Sequence, residues 1–235
     1  MKIIDLLSYS KELCFSGSPK YQNLERESLH LASGFDALSR KQWEDMCNQF
    51  LSLIDINANH DVLDVGCGAG AFLKNIKNYH SLSGVDYIKS SIEYCRSVFD
   101  GNFEVAQASQ LPFTNYSFDK ILCWSVFFYF ENLDYAEQSL NEMLRTLKSG
   151  GNIFIGDIND QEKEDLYHSI RRKELRDEKR IVKGSSPKHL FYKKSFFKNY
   201  AKKHDLQFKI IDEDKMNLPY YSSSKYRFSI IFQKK

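Results

Sequence analysis

Residues 62–70 read VLDVGCGAG, an apolar run that ends in a glycine-rich turn. Glycine has no Cβ, so the backbone N–H groups of such a turn can approach a ligand closely. Two acids accompany the turn: Asp64 lies two residues before Gly66, and Asp86 follows further along the chain. Carboxylates at these places can accept hydrogen bonds from hydroxyl and amino groups. The segment therefore predicts a strand that enters a loop lying against a nucleotide-like ligand.

Two ligands fit this loop. Gly66, Gly68 and Ala71 satisfy the dinucleotide fingerprint in its alanine form, with Asp86 as the ribose acid, which allows an NAD-type site. Further motifs follow in order: Gly-Val-Asp at 84–86, Leu-Pro-Phe at 111–113 and Leu-Lys-Ser-Gly-Gly at 147–151. With these motifs the chain resembles the class I S-adenosylmethionine (AdoMet)-dependent methyltransferases. An NAD-type dehydrogenase is the alternative, but it leaves the last two motifs unexplained.

The resemblance implies AdoMet as the cofactor and assigns its contacts. In that family the glycine loop holds the methionine portion, Asp64 organises the loop and the amino group, and Asp86 accepts both ribose hydroxyls. The positions that usually carry acids before Leu-Pro-Phe hold Gln107-Ala108-Ser109 here. This departs from the family, although a glutamine carbonyl can still accept a hydrogen bond from the adenine amine. The predicted cofactor-binding residues are Asp64, Gly66, Cys67, Gly68, Gly70, Asp86, Tyr87, Ile88, Gln107, Ala108, Ser109 and Trp124.

Methyl transfer is a displacement at a sulfonium carbon, so the protein must align the acceptor and exclude water. The segment 124–130 reads WSVFFYF and follows the predicted fourth strand. Its rings either contact the sulfonium by cation–π attraction or pack in the core. Family members that methylate amide or exocyclic base nitrogens usually carry Asn/Asp-Pro-Pro-Tyr at this place. Because this chain has CWSV at 123–126, DNA adenine and glutamine amide methylation are disfavoured.

A hydroxyl acceptor needs a base to remove its proton as the new bond forms. The candidates are His189, Asp157 and Tyr192, with a packing role as the alternative for His189. Asp157, Asn159 and Asp160 could also suggest a metal site. No further ligand pattern supports one, so we expect no metal.

Composition limits the other function classes. The chain has 235 residues, of which 42% are hydrophobic, and five scattered cysteines without a C-x-x-C pair. This pattern favours a reducing compartment and argues against a zinc site. The N-terminus fits neither a signal nor a transit peptide, and the longest apolar run, 121–130, is too short to cross a membrane. We therefore expect a soluble, cytoplasmic protein with no membrane span.

The stretch 171–203 holds thirteen Lys and Arg residues against three acids, a local net charge of +10 within a chain whose net charge is +2. Such a stretch attracts an anionic partner or forms a solvated helix face.

We expect a small-molecule acceptor, methylated on oxygen rather than nitrogen, such as a sugar or sugar-phosphate metabolite. One alternative is an RNA or protein methyltransferase that docks through this stretch, although no nucleic-acid-binding module accompanies it. Another is a binding module without turnover. The oligomeric state has no signal in the sequence.

The elements that must position these residues alternate between strands and amphipathic helices. We predict an α/β, Rossmann-like seven-stranded sheet, mostly parallel, with helices on both faces and an antiparallel C-terminal edge pair. Residues 1–57 form an N-terminal helical cap, and residues 58–235 form the AdoMet-binding domain with a basic helical insertion at about 158–190. Strands are predicted at 61–65, 81–86, 102–107, 117–124, 151–155, 206–211 and 226–233, and helices at 69–79, 90–99, 134–147, 162–180 and 194–204.

Overall fold

The computed structural model of the chain describes Leu29, Phe35 and residues 37–177 and 189–235. The strands in these ranges are β1 Asp61–Val65, β2 Ser81–Asp86, β3 Asn102–Val105, β4 Phe118–Trp124, β5 Leu147–Asn159, β6 Gln207–Asp212 and β7 Arg227–Gln233. The α-helices are α1 Arg40–Leu51, α2 Lys89–Val98, α3 Leu133–Thr146, α4 Glu164–Asp177 and α5 Lys194–Lys203.

The strands form one seven-stranded sheet in the order β3-β2-β1-β4-β5-β7-β6. The pairs among β1 to β5 are parallel, whereas β7 runs antiparallel to both β5 and β6. The predicted mostly parallel sheet with an antiparallel edge pair is therefore confirmed. The strand order reverses between β1 and β4, so the carboxyl ends of these strands border the crevice where open α/β sheets bind ligands.

Each face of the sheet is covered by helices, as predicted. One core contains Leu140 and Met143 of α3 with Phe197 of α5. The other contains Phe50 of α1 and Ile92 of α2. A capping box at Ser39 starts α1: its side chain accepts from the N–H of Gln42, and the Gln42 side chain accepts from the N–H of Ser39. Two buried residues of this helix, Trp43 and Phe50, pack against Trp124 of β4.

The helix predicted at 69–79 is wrong. The structure has only a short 3-10 turn, Leu73–Asn75, in this segment. Gly70 adopts a positive φ of 83° and Asn78 one of 55°, which right-handed helix does not allow. The Asn75 side chain also donates to the carbonyls of Ala71 and Phe72, groups that a helix would have paired with backbone N–H. Local side-chain bonds of this kind compete with helix formation.

The fifth strand is longer than predicted, because it begins at Leu147 and continues to Asn159. Its pairing with β7 shifts register between Ile155 and Ile158, and Asp157 within the shift has a φ of 65°. The third strand is shorter than predicted and ends at Val105. Most of the N-terminal cap and the Gly-Ser-Ser-Pro segment at 184–187 lie outside the described residues, so the domain boundaries stay predictions. No helix in the described ranges is long and apolar enough to cross a membrane.

Candidate active site

The glycine loop leaves β1 at the carboxyl edge of the sheet and is tied to β2. The N–H groups of Gly66 and Cys67 both donate to the carbonyl of Val85, at 2.7 and 3.0 Å. Gly66 has a φ of 80°, and a Cβ there would lie 2.5 Å from the Val126 side chain. Gly68 also has a positive φ, but a Cβ there would meet nothing within 4 Å. The first glycine thus permits close packing, whereas the second borders open space.

Asp86 is held by backbone on both of its carboxylate oxygens. The N–H of Gly68 donates to Oδ2 and the N–H of Ile88 donates to Oδ1, both at 2.9 Å. The side chain is 2% exposed. A carboxylate offers about four acceptor sites, so two oxygens each holding one N–H keep capacity for hydroxyl donors. The two bonds orient the carboxylate and couple its position to the glycine loop.

Asp64 lies buried in β1 beside this carboxylate. Burial and, to a smaller extent, the charge of Asp86 together raise the pKa of Asp64 to about 8. A carboxyl with this pKa is mostly protonated at neutral pH while no cation is close to it. A cationic ligand group would favour its ionised form. The pair therefore suits a ligand that carries positive charge and hydroxyl groups together.

Two adjoining cavities open at this edge of the sheet, of about 90 and 150 Å³. Four residues, Gly66, Asp86, Val126 and Tyr129, line both of them. The first cavity also contacts Asp64, Cys67, Gly68, Ile88, Ser91 and the aromatic side chains Phe35, Trp43, Phe72 and Trp124. The second also contacts Val85, Tyr87, Ala106, Gln107, Ala108, Phe130, Glu131 and Tyr135. A single extended ligand that lies against Asp86 can occupy both cavities.

Comparison with known proteins identifies this arrangement. The family described as "Methyltransferase domain" matches residues 63–155. The methyltransferase GfsG of Streptomyces halstedii is 33% identical over 125 residues, which are 49% of this chain and 44% of that protein. A mouse relative with the name "Probable tRNA methyltransferase 9B" is 31% identical over 142 residues, which are 58% of this chain and 31% of that protein. The chain thus spans less than half of the length of these relatives.

A solved structure extends the likeness over most of the chain. The S-adenosylmethionine-dependent methyltransferase of Clostridium acetobutylicum superposes with a TM-score of 0.60 at 15% identity. The match covers 88% of this chain and 96% of that one. Residues 63–155 carry a methyltransferase domain, and the chain around them has the fold of an AdoMet-dependent methyltransferase. The methyltransferase family predicted from the sequence is therefore confirmed for this domain, and with it AdoMet as the family's cofactor.

Most of the predicted cofactor residues of the methyltransferase domain lie at the two cavities. Tyr87, Gln107 and Ala108 line the second cavity, and Ile88 lines the first. Ser109 and Gly70 line neither cavity, and a Cβ on Gly70 would lie 2.4 Å from the Phe99 ring. Gly70 therefore permits packing of the loop against α2, and its role toward the cofactor stays a prediction.

An aromatic wall at the first cavity was only partly visible in the sequence. Trp124 is stacked between Phe72, at 4.9 Å between ring centroids, and Phe35, at 5.2 Å. Trp43 packs edge-on against the same indole, 5.6 Å away. Trp124 was predicted to contact the cofactor, but the other rings were not assigned. No local pattern marks them, because they come from the N-terminal region and from the segment after the glycine loop.

The base candidates occupy different places. His189 packs against the rings of Phe128 and Tyr129, and its Nδ1 lies 3.1 Å from the hydroxyl of Tyr167. Burial and, to a smaller extent, the charges of Arg227 and Arg171 together lower the pKa of His189 to about 3. Its imidazole is therefore neutral at physiological pH and weakly basic. Because Tyr129 lines both cavities and contacts His189, the Tyr129 ring lies between His189 and the cavities.

Asp157 and Tyr192 are engaged elsewhere in the methyltransferase domain. The Tyr192 hydroxyl donates to the carbonyl of Phe127 at 2.8 Å, and the side chain is fully buried. Asp157 is also fully buried and pairs with Arg227. The Tyr221 hydroxyl donates to its Oδ1 at 2.6 Å. Neither Asp157 nor Tyr192 lines a cavity, so the structure does not bring the three base candidates together.

Glu213 completes the buried polar network around Asp157. Its Oε1 accepts from the Asp157 N–H at 2.8 Å and from the Ser229 hydroxyl at 2.6 Å. Its Oε2 is buried without a hydrogen-bond partner. Burial raises the pKa of Glu213 to about 8, and the charge of Asp157 contributes to this rise. The network thus holds Arg227, the Asp157 side chain with which it pairs, and a Glu213 carboxyl group that is mostly protonated at neutral pH.

Proposed function

We propose that this chain is an AdoMet-dependent methyltransferase that acts on a small-molecule acceptor, at oxygen rather than nitrogen. The observation that carries the proposal is the pair of cavities that meet at Asp86. Asp64 and Asp86 are the two acids that line the first cavity. An acidic lining, with an Asp64 carboxyl that ionises beside a cation, suits a donor that carries a sulfonium and an ammonium group. AdoMet, when bound, supplies the activated methyl group.

The residues of the chain bind and orient the two reactants. Asp86 accepts hydrogen bonds from the ribose hydroxyls, and Gly68 allows close approach of the backbone. Asp64 ionises beside the ligand's positive charge. The aromatic wall removes water from the space beside the sulfonium, which leaves alignment as the main source of acceleration. His189 is the base candidate nearest to the cavities, but its weak basicity favours acceptors whose hydroxyl is itself acidic.

The charges at the first cavity do not support the sugar-phosphate acceptor expected from the sequence. Among the described residues that line it, none is Lys, Arg or His. In the basic stretch, Lys194 pairs with Asp160 and Asp212, and Lys203 pairs with Glu137. These ion pairs neutralise part of the charge that was expected to attract an anionic acceptor. We therefore propose an uncharged small molecule rather than an anionic one.

Calorimetric titration tests the cofactor. AdoMet, S-adenosylhomocysteine and NAD are titrated in parallel into the purified protein. We expect binding of the first two and no binding of NAD. Methyl transfer from isotope-labelled AdoMet to a panel of small alcohols, phenols and amines then tests the acceptor. Binding of AdoMet without turnover on any acceptor would instead support a module that binds the cofactor without catalysis.

A tRNA acceptor is the second proposal, because the mouse relative is named as a tRNA methyltransferase and the stretch 171–203 is basic. Binding of RNA through phosphate contacts weakens steeply as salt rises, by about 0.7 log units per log unit of salt for each contact to single strands. Methylation of total tRNA with such a salt dependence, and no turnover on small molecules, would favour this reading. The cytoplasmic location and the protein's partners likewise stay proposals.

A further inference from the structure

Phe35 occupies a ring-sized slot within the aromatic wall. Its ring lies 4.8 Å from that of Trp43, 5.2 Å from that of Trp124 and 5.7 Å from that of Tyr221, measured between centroids. We call the space between these three rings the ring slot. Phe35 and Trp124 are nearly parallel, with an interplanar angle of 22°. The slot is therefore shaped for a flat ring stacked on an indole.

The ring slot is continuous with the cofactor loop. Phe35, Trp43 and Trp124 line the same cavity as Asp64, Gly66 and Gly68. Trp124 stands at the carboxyl end of β4, next to β1 in the sheet. A flat molecule in this slot would thus lie in the cavity where the methyl donor is proposed to bind.

The chemistry of the walls selects an uncharged ring. The described cavity residues include no cation, and the two acids Asp64 and Asp86 disfavour a phosphate or carboxylate on the acceptor. Arg227 lies 5.9 Å from the Tyr221 ring, but its charge is paired with Asp157. The Nε1–H of Trp124 is buried and has no acceptor, so a hydroxyl beside the indole edge would satisfy it.

We propose that the ring slot, filled by Phe35 in this structure, is the subsite for a planar, uncharged aromatic acceptor such as a phenol. Phe35 then acts as an internal competitor that the acceptor displaces from the face of Trp124. The inference rests on the proposed methyltransferase function and deepens it by naming the acceptor class. A phenolic hydroxyl, with a pKa of about 10, also needs less help from a base than an aliphatic alcohol.

The two tryptophans of the chain, Trp43 and Trp124, both wall the slot. Their two indole N–H resonances in a proton–nitrogen NMR spectrum therefore report on it without interference. The probe is 2-naphthol, titrated in the presence of saturating S-adenosylhomocysteine. The matched ligands are 2-decalol, which is saturated and not flat, and 2-naphthyl phosphate, which is flat and anionic. We expect 2-naphthol to shift both resonances and the other two to bind at least about tenfold more weakly.

Two variants distinguish displacement of Phe35 by the ligand from a general change of packing around Trp124. Aromatic pairs contribute about 0.5–1.5 kcal/mol beyond their buried area, so Phe35→Ala should tighten 2-naphthol binding by about 2- to 10-fold. The control is Phe50→Leu, because Phe50 packs on Trp124 at 5.4 Å but does not line the cavity. It should leave the affinity unchanged.

Three results would overturn the proposal: unshifted indole resonances in the wild-type protein, tighter binding of the phosphate than of 2-naphthol, or weaker binding in Phe35→Ala. The measurement needs no turnover, and calorimetry shows separately whether S-adenosylhomocysteine binds. If the cofactor product fails to bind, the proposed function fails. If it binds and 2-naphthol does not, only the acceptor class fails.

Discussion

Replacement of Asp64 by Asn should remove a pH dependence of AdoMet binding. The wild-type carboxyl has a pKa of about 8, raised by burial and by the charge of Asp86. AdoMet brings a sulfonium and an ammonium group, and these favour the ionised carboxylate. Binding at neutral pH should therefore release a proton from Asp64. An asparagine keeps the shape of the side chain but neither titrates nor carries charge.

The size of the change in AdoMet affinity follows from the difference between the pKa of Asp64 and the pH of the measurement. One pH unit below the pKa, ionisation costs about 1.4 kcal/mol, which weakens binding about tenfold. Well above the pKa, a charge-assisted hydrogen bond contributes about 1.5–3 kcal/mol. The variant should thus bind about 10- to 100-fold more weakly than wild type at pH 8.5. This ratio should shrink by up to about tenfold per unit as pH falls.

Calorimetry at pH 6.0, 7.0, 8.0 and 8.5 measures the ratio of the two dissociation constants. The α-amino group of AdoMet itself titrates near pH 7.7–8.0, but it affects both proteins equally and cancels in the ratio. Asp119→Asn is the control, because Asp119 pairs with Lys148 at the start of β4, away from the cavities. A wild-type to Asp64→Asn ratio that stays constant over this range would refute the reasoning.

Three further predictions concern the loop and the buried network. Asp86→Ala should weaken AdoMet binding by about 2–4 kcal/mol, through the loss of charge-assisted bonds, and an unchanged dissociation constant would contradict the ribose assignment. Gly66→Ala should cost at least about 1–2 kcal/mol of stability in thermal unfolding, since its φ is 80° and a Cβ would lie 2.5 Å from Val126. Gly68→Ala should instead weaken AdoMet binding more than it lowers stability, because its Cβ meets no protein atom within 4 Å. Equal losses of stability in Gly66→Ala and Gly68→Ala would contradict these different roles of the two glycines. Glu213 holds a proton in the folded protein between its usual pKa of 4.5 and about 8, so the free energy of unfolding should fall as pH rises through that window. Glu213→Gln should flatten this fall by up to about 1.4 kcal/mol per pH unit in denaturant titrations, and parallel curves would show that Glu213 does not titrate there.

The strands and the glycine loop could be predicted because their signals are local. Apolar runs such as 61–65 and 81–86 are bounded by turn residues and match β1 and β2 in the structure. The segment after the loop misled the prediction for a physical reason. Its apolar spacing fits a helix, but Gly70 takes a left-handed conformation and the Asn75 side chain captures two carbonyls. The spacing of apolar residues along the sequence does not reveal the Gly70 conformation or the Asn75 hydrogen bonds.

The base candidates show a second limit of sequence reasoning. Asp157 and Tyr192 have residue types that can move protons, and the sequence analysis names both as base candidates. The structure engages Asp157 with Arg227 and Tyr192 with the carbonyl of Phe127, far apart along the chain. These partners are separated by 65 and 70 residues and are brought together by packing, so no local sequence pattern predicts the contacts.

The sequence by itself determined the family, the mostly parallel seven-stranded sheet with its antiparallel edge pair, and the acids that flank the glycine loop. These follow from short motifs and from alternation of strands and helices, which act over a few residues at a time. Only the tertiary structure decided the state of Asp64, the ring slot and the network at Asp157. Burial and neighbouring charge set the pKa of Asp64, and both depend on strands that pair across the sheet. The rings of Phe35 and Trp124 meet because Phe35, which precedes α1, packs with α1 and the sheet in one core.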